Sequence, residues 1–77
     1  MALNYAYIFA EIELETNMCL GVLTTSDPST EGFTGLGSTY VAIEVYDEEY
    51  IFKYYNWDNG KFYYDEEYAE EYISPLL

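Results

Sequence analysis

The sequence predicts one α+β domain over residues 1–77, with a small antiparallel sheet of four to five strands, an aromatic hairpin and a short C-terminal helix. Three observations carry this. Apolar residues alternate with period 2 through residues 5–14 and 39–46. Asn59-Gly60 separates two aromatic-rich runs. Asp65 precedes Glu66 to Ile73, and Pro75 follows, which is the pattern of a capped and terminated helix.

In chain order, Ala6, Ile8, Ala10, Ile12 and Leu14 share the face expected to enter the core. Tyr5, Tyr7, Phe9, Glu11 and Glu13 share the outer face. Glu15-Thr16-Asn17 reads as a turn and Met18 to Thr25 as the returning strand. Residues 26–38 are rich in Gly, Pro and hydroxyls and read as a loop, with Phe33 and Leu36 tucked onto the core. The third strand covers 39–46, and Asp47 caps a short turn or helix through Phe52. A type I′ turn at Asn59-Gly60 sets Trp57 opposite Phe62, Tyr55 opposite Tyr64 and Asp58 beside Lys61. The segment Tyr46-Asp47-Glu48-Glu49-Tyr50 recurs as Tyr64-Asp65-Glu66-Glu67-Tyr68, both copies reading as strand-to-helix caps.

The charge is lopsided, with 15 Asp+Glu against 2 Lys+Arg, no His, and a net −13. Such a surface does not bind nucleic acid phosphates or an anionic membrane through charge. Without His, histidine triads and most zinc sites are excluded. An aromatic content of 21% separates the chain from disordered acidic tails. Cys19 is alone and lies in an apolar run, so it reads as a buried free thiol. The N-terminus lacks the basic region of a signal peptide, and no apolar run approaches the ~18 residues of a membrane span. Paired carboxylates can do acid–base chemistry only across a cleft, which a chain this short rarely builds. Asp58-Asn59-Gly60 lacks the spacing of a calcium loop. No catalytic residue, cofactor or metal is expected.

What remains is binding. Ten of the 15 acidic residues fall between Glu44 and Glu71, and eight of the 11 Tyr between Tyr46 and Tyr72. The candidate partner-binding residues are Glu44, Asp47, Glu48, Glu49, Tyr50, Asp65, Glu66, Glu67, Tyr68, Glu70, Glu71 and Tyr72. On the expected helix, Glu66/Glu70 and Glu67/Glu71 are like-charge pairs one turn apart, spaced ~6 Å along the axis, roughly echoing a row of phosphates. Tyr supplies rigid area at low entropy cost, and Arg stacks on it while pairing with a carboxylate. A solvated acidic face kept for solubility is the plainer reading. A platform of Tyr54, Tyr55, Trp57, Phe62, Tyr63 and Tyr64 for sugars is another, set against simple packing of these rings in the sheet.

The runs Tyr5-Ala6-Tyr7-Ile8-Phe9-Ala10-Glu11-Ile12, Cys19-Leu20-Gly21-Val22, Ile43 to Tyr50, Lys53-Tyr54-Tyr55-Asn56 and Gly60-Lys61-Phe62 resemble small bacteriophage and prophage proteins of the tail module. In size and charge the chain is also similar to acidic phage inhibitors of host defence, the DNA-mimic anti-restriction and anti-CRISPR proteins. That second resemblance implies a non-enzymatic inhibitor in the host cytoplasm. It would offer a DNA-like face to the basic groove of a nucleic-acid-binding host protein, with no direct nucleic acid or membrane contact. The first implies a structural or adsorption component of the virion, self-associating through sheet edges.

Overall fold

The computed structural model describes residues 7–32 and 34–77. Tyr5 and Ala6, expected to open the first strand, and Phe33, expected to hold the loop, lie outside the described residues. The first sheet contains β1 (Tyr7–Glu13), β2 (Cys19–Thr25), β3 (Thr34–Gly35) and β4 (Ser38–Ala42), all antiparallel in the order β2-β1-β4-β3. Alternation works as expected on β1, where Ala10 and Ile12 are fully buried. Leu14 lies past the end of the strand and is exposed. Phe9, read as an outer aromatic, is only 2% exposed. The chain after β2 folds back beside that outer face. Gly32 N–H donates to the Tyr40 carbonyl at 2.9 Å, and Pro28 and Glu31 line a shallow cleft with Phe9.

The second sheet overturns the α+β expectation. It consists of β5 (Tyr54–Asn56), β6 (Lys61–Tyr63) and β7 (Glu71–Tyr72), antiparallel in sequence order. Where a C-terminal helix was expected, the described chain makes a turn and then β7. The only helical pieces among the described residues are two three-residue 3-10 turns, Pro28–Thr30 and Glu48–Tyr50. The reason is local. Asp65 Oδ1 accepts from Glu67 N–H at 2.9 Å and Ala69 N–H at 3.2 Å, and Tyr68 then adopts a left-handed φ of 59°, which no helix continues. Extension past that point buries Tyr72 and Ser74 and turns Glu71 and Ile73 outward, a period of 2. It also frees the four glutamates from like-charge contacts one helical turn apart. The third strand likewise ends at Ala42, before a bend at Glu44 and Val45.

Turn chemistry is displaced by two residues. Tyr54 pairs with Tyr63, Tyr55 with Phe62, and Asn56 with Lys61. The loop is therefore Trp57–Gly60, four residues rather than two. Asn56 explains this: its side chain accepts from Asp58 N–H at 2.8 Å, and its carbonyl accepts from Gly60 N–H at 2.8 Å. Only Gly60, at φ 74°, is left-handed there. The two-residue turn with both central φ positive instead joins β3 to β4, at Leu36 (54°) and Gly37 (88°). Leu36 is fully exposed rather than tucked onto the core.

The sheets meet in one core of Ala10, Ile12, Cys19, Tyr50, Phe62 and Tyr72, with Val22, Val41, Ile43, Val45 and Tyr55 packed against it. Backbone bonds close one side of it. Cys19 N–H donates to the Lys53 carbonyl and Phe52 N–H to the Cys19 carbonyl, at 2.7 and 2.8 Å. Asn17 at the first turn completes the joint, accepting from Tyr55 N–H through its carbonyl at 2.8 Å and from Trp57 Nε1 through its side chain at 2.9 Å. Burial pushes the Cys19 thiol up to about 11, so it is protonated and inert in the native state.

Two substitutions with opposite signs test the turns. Leu36→Asn relieves a left-handed leucine that buries nothing, and is expected to raise stability by about 1 kcal/mol. Gly60→Val imposes a β-branched residue on a left-handed φ and is expected to cost about 1–2 kcal/mol. Thermal melting reads both, at roughly 4–8 °C per kcal/mol for a domain of this size.

Candidate functional site

The two Tyr-Asp-Glu-Glu-Tyr segments fold alike. In each, the aspartate side chain accepts from the glutamate N–H two residues on, at 2.9 Å, and its carbonyl accepts from the second tyrosine's N–H, at 3.2 Å in the first and 3.1 Å in the second. Both are thus Asx-capped turns that thrust a Glu-Glu pair outward. Glu48, Glu49, Glu66 and Glu67 are exposed, together with Glu44 and Glu70. Asp65 and Tyr68 are half-buried, Tyr68 with its ring 5.2 Å from that of Tyr63.

Three of the candidates lie inside the fold. Tyr50 is 6% exposed, Tyr72 8% and Asp47 5%. Tyr50 stacks at a tilt on Phe62, ring centroids 4.6 Å apart, and Tyr72 stands edge-on to Tyr50 at 5.3 Å. The Asp47 carboxylate accepts from the Tyr72 hydroxyl, from Glu49 N–H and from the Ser74 side chain. Burial works to raise its pKa. The hydrogen bonds from Ser74, Tyr72 and the Glu49 N–H, with the charge of Lys53, outweigh burial and hold the carboxyl below its ordinary value. Burial first, and then the bond to Asp47, push the Tyr72 hydroxyl up.

Both lysines are engaged within the chain. Lys53 Nζ donates to the Glu49 carbonyl at 2.7 Å and lies over the Tyr72 and Tyr64 rings, 4.8 and 5.1 Å from their centroids. Lys61 pairs with Glu71 at 3.8 Å, which makes Glu71 the one acidic residue in a salt bridge among the described residues. Sequence reasoning missed the Lys53 clamp, because a lysine between aromatic runs gives no signal of which rings it will lie over.

The rings proposed as a sugar platform do not form one flat surface. Phe62 is core, Tyr55 stands edge-on to Trp57 at 87°, and the Trp57 indole is tied to Asn17. Among the described residues no three acidic or cysteine side chains converge as a metal site, and no helix is long and apolar enough to cross a membrane.

Asp47→Asn and Tyr72→Phe each leave a buried partner unsatisfied, with an expected cost of about 1–3 kcal/mol at neutral pH. The Asp47 pKa is lowered in the folded state, so its stabilisation is fully present above the unfolded value of ~3.9. It is lost as pH falls through the folded value. Urea titrations at pH 7 and pH 3 should therefore show the Asp47→Asn deficit shrinking in acid. No family model, no curated protein and no solved structure matches this chain.

Proposed function

We propose that the chain is a non-enzymatic acidic binding protein that presents the exposed carboxylates of its two Asx-capped turns to a basic, nucleic-acid-binding groove of a partner protein. One observation carries this reading. Both lysines are engaged by groups of the chain itself, while Glu44, Glu48, Glu49, Glu66, Glu67 and Glu70 stay exposed and, among the described residues, without a salt bridge. A surface kept only for solubility is served by mixed signs and a smaller net charge. The net charge of −13 gives the whole surface a strong negative field. Such a field speeds encounter with a basic groove and selects against acidic partners. The likeness to acidic phage inhibitors gives the partner class, a host defence protein that holds nucleic acid. Asp47, Tyr50 and Tyr72 then serve the fold, and the contact falls to the glutamates with Asp65 and Tyr68 at their rim.

The test is retention of nucleic-acid-binding proteins from bacterial lysate on the immobilised chain, with elution by salt and by added duplex DNA. Retained proteins should be released by both, since screening contracts to ~3 Å at 1 M salt and DNA competes for the groove. The quadruple variant Glu48→Gln, Glu49→Gln, Glu66→Gln, Glu67→Gln should retain at least about tenfold less while melting no lower than the parent. Binding that survives molar salt and excess DNA overturns the proposal.

A further inference from the structure

The two sheets have four edges, and they are unequal. β3 and β7 are two residues long. β5 is joined to the start of β2 through the Met18–Tyr54 bridge and the Asn17 carbonyl. β2 runs seven residues; the Glu48–Tyr50 turn packs against it, and past Cys19 its outward backbone groups have no hydrogen-bond partner among the described residues.

Its backbone directions follow from the register. The Ile8 carbonyl accepts from Ile43 N–H, toward β4. Alternation then turns Phe9 and Glu11 toward β2, and their partners Leu23 and Gly21 toward β1. Val22 and Thr24 are left with N–H and C=O groups pointing outward. Natural sheets guard such an edge with charge, proline or cover. Residues 18–26 contain neither a charged residue nor a proline, in a chain where 15 of 77 residues are acidic.

We infer that this edge pairs with the β2 edge of a second copy of the chain, antiparallel about a two-fold axis at Leu23. In that register Val22 faces Thr24 of the second copy and Thr24 faces its Val22, two pairs that exchange four backbone hydrogen bonds. Leu23 meets its own copy as the closer, non-hydrogen-bonded pair, with side chains in contact. The stretch is charge-free, so no carboxylate lies on the two paired strands. Glu11 and Glu13 sit one strand further in. Across the axis they are about three strand spacings apart, roughly 14 Å, which exceeds the ~8 Å screening length at physiological salt. Residues 18–26 offer neither an acidic nor a basic peptide a charged side chain, and the Glu48-Glu49 pair belongs to the turn packed against β2 rather than to the paired strand.

Association works against net repulsion between two chains of −13 each. Dimerisation should therefore strengthen with salt, the reverse of binding to a basic groove, so the two proposals fail separately. Sedimentation of the full chain at low and molar salt should show the dimer fraction rising with salt. Thr24→Pro removes an outward N–H at an edge position that tolerates proline, and should remain monomeric at every salt concentration. Hydrogen exchange on the unaltered chain provides a second measurement. The Val22 and Thr24 amides should gain about tenfold protection or more as concentration rises through the dimer transition, while Leu20 changes little. A chain that stays monomeric at molar salt, a dimer that persists in Thr24→Pro, or exchange at Val22 and Thr24 that ignores concentration would each overturn the inference.

Discussion

One buried carboxylate holds this fold together. Asp47 sits where the chain leaves the first sheet to build the second, and it is 5% exposed in a protein whose other acids face water or its edge. It takes up the Tyr72 hydroxyl from the C-terminal strand, Ser74 from just beyond that strand and the Glu49 N–H from its own turn. The C-terminal strand is thereby fixed over Tyr50, and Tyr50 over Phe62, so the aromatic half of the core depends on one charge. A carboxylate removed from water is costly unless its lone pairs are filled, and these are. Seven described strands built from so short a chain leave a thin apolar core, and this polar anchor supplies the specificity that volume does not.

The same economy governs the lysines. With only two cations, the fold uses one to cap a turn and cover two tyrosine rings, and the other to hold the last hairpin. Neither is left to neutralise the Glu-Glu pairs on the two capped turns. The negative face follows from placement as much as from composition.

The legible features in the sequence were those written in short-range chemistry. The β1–β2 hairpin followed from alternation, and the caps at Asp47 and Asp65 from Asx geometry within two residues. The C-terminal helix failed because its signals, an aspartate before and a proline after, equally frame a turn and a strand. The discriminating period, Glu71 to Ser74, is four residues long. The hairpin register failed because the Asn56 side chain claimed the turn before Asn59-Gly60 could. Burial of Tyr50, Tyr72 and Asp47 depends on a contact between residues 25 apart, which no local pattern records. As a result, the sequence marks where the acidic and tyrosine residues cluster but not that Asp47, Tyr50 and Tyr72 turn inward. Glu44, Glu48, Glu49, Glu66, Glu67 and Glu70 stay at the surface.

The contrast between Asp47 and the outer carboxylates separates two events that acidification usually merges. The chain is isoelectric near pH 4.1. At that pH the net charge falls to zero, and the mutual repulsion that keeps molecules apart collapses with it. Asp47, held below its ordinary pKa, is still ionised there, and the network it anchors is still closed. Colloidal stability is therefore lost while the fold survives. What settles out of mildly acidic solution is native protein, recoverable by raising the pH, rather than a denatured aggregate.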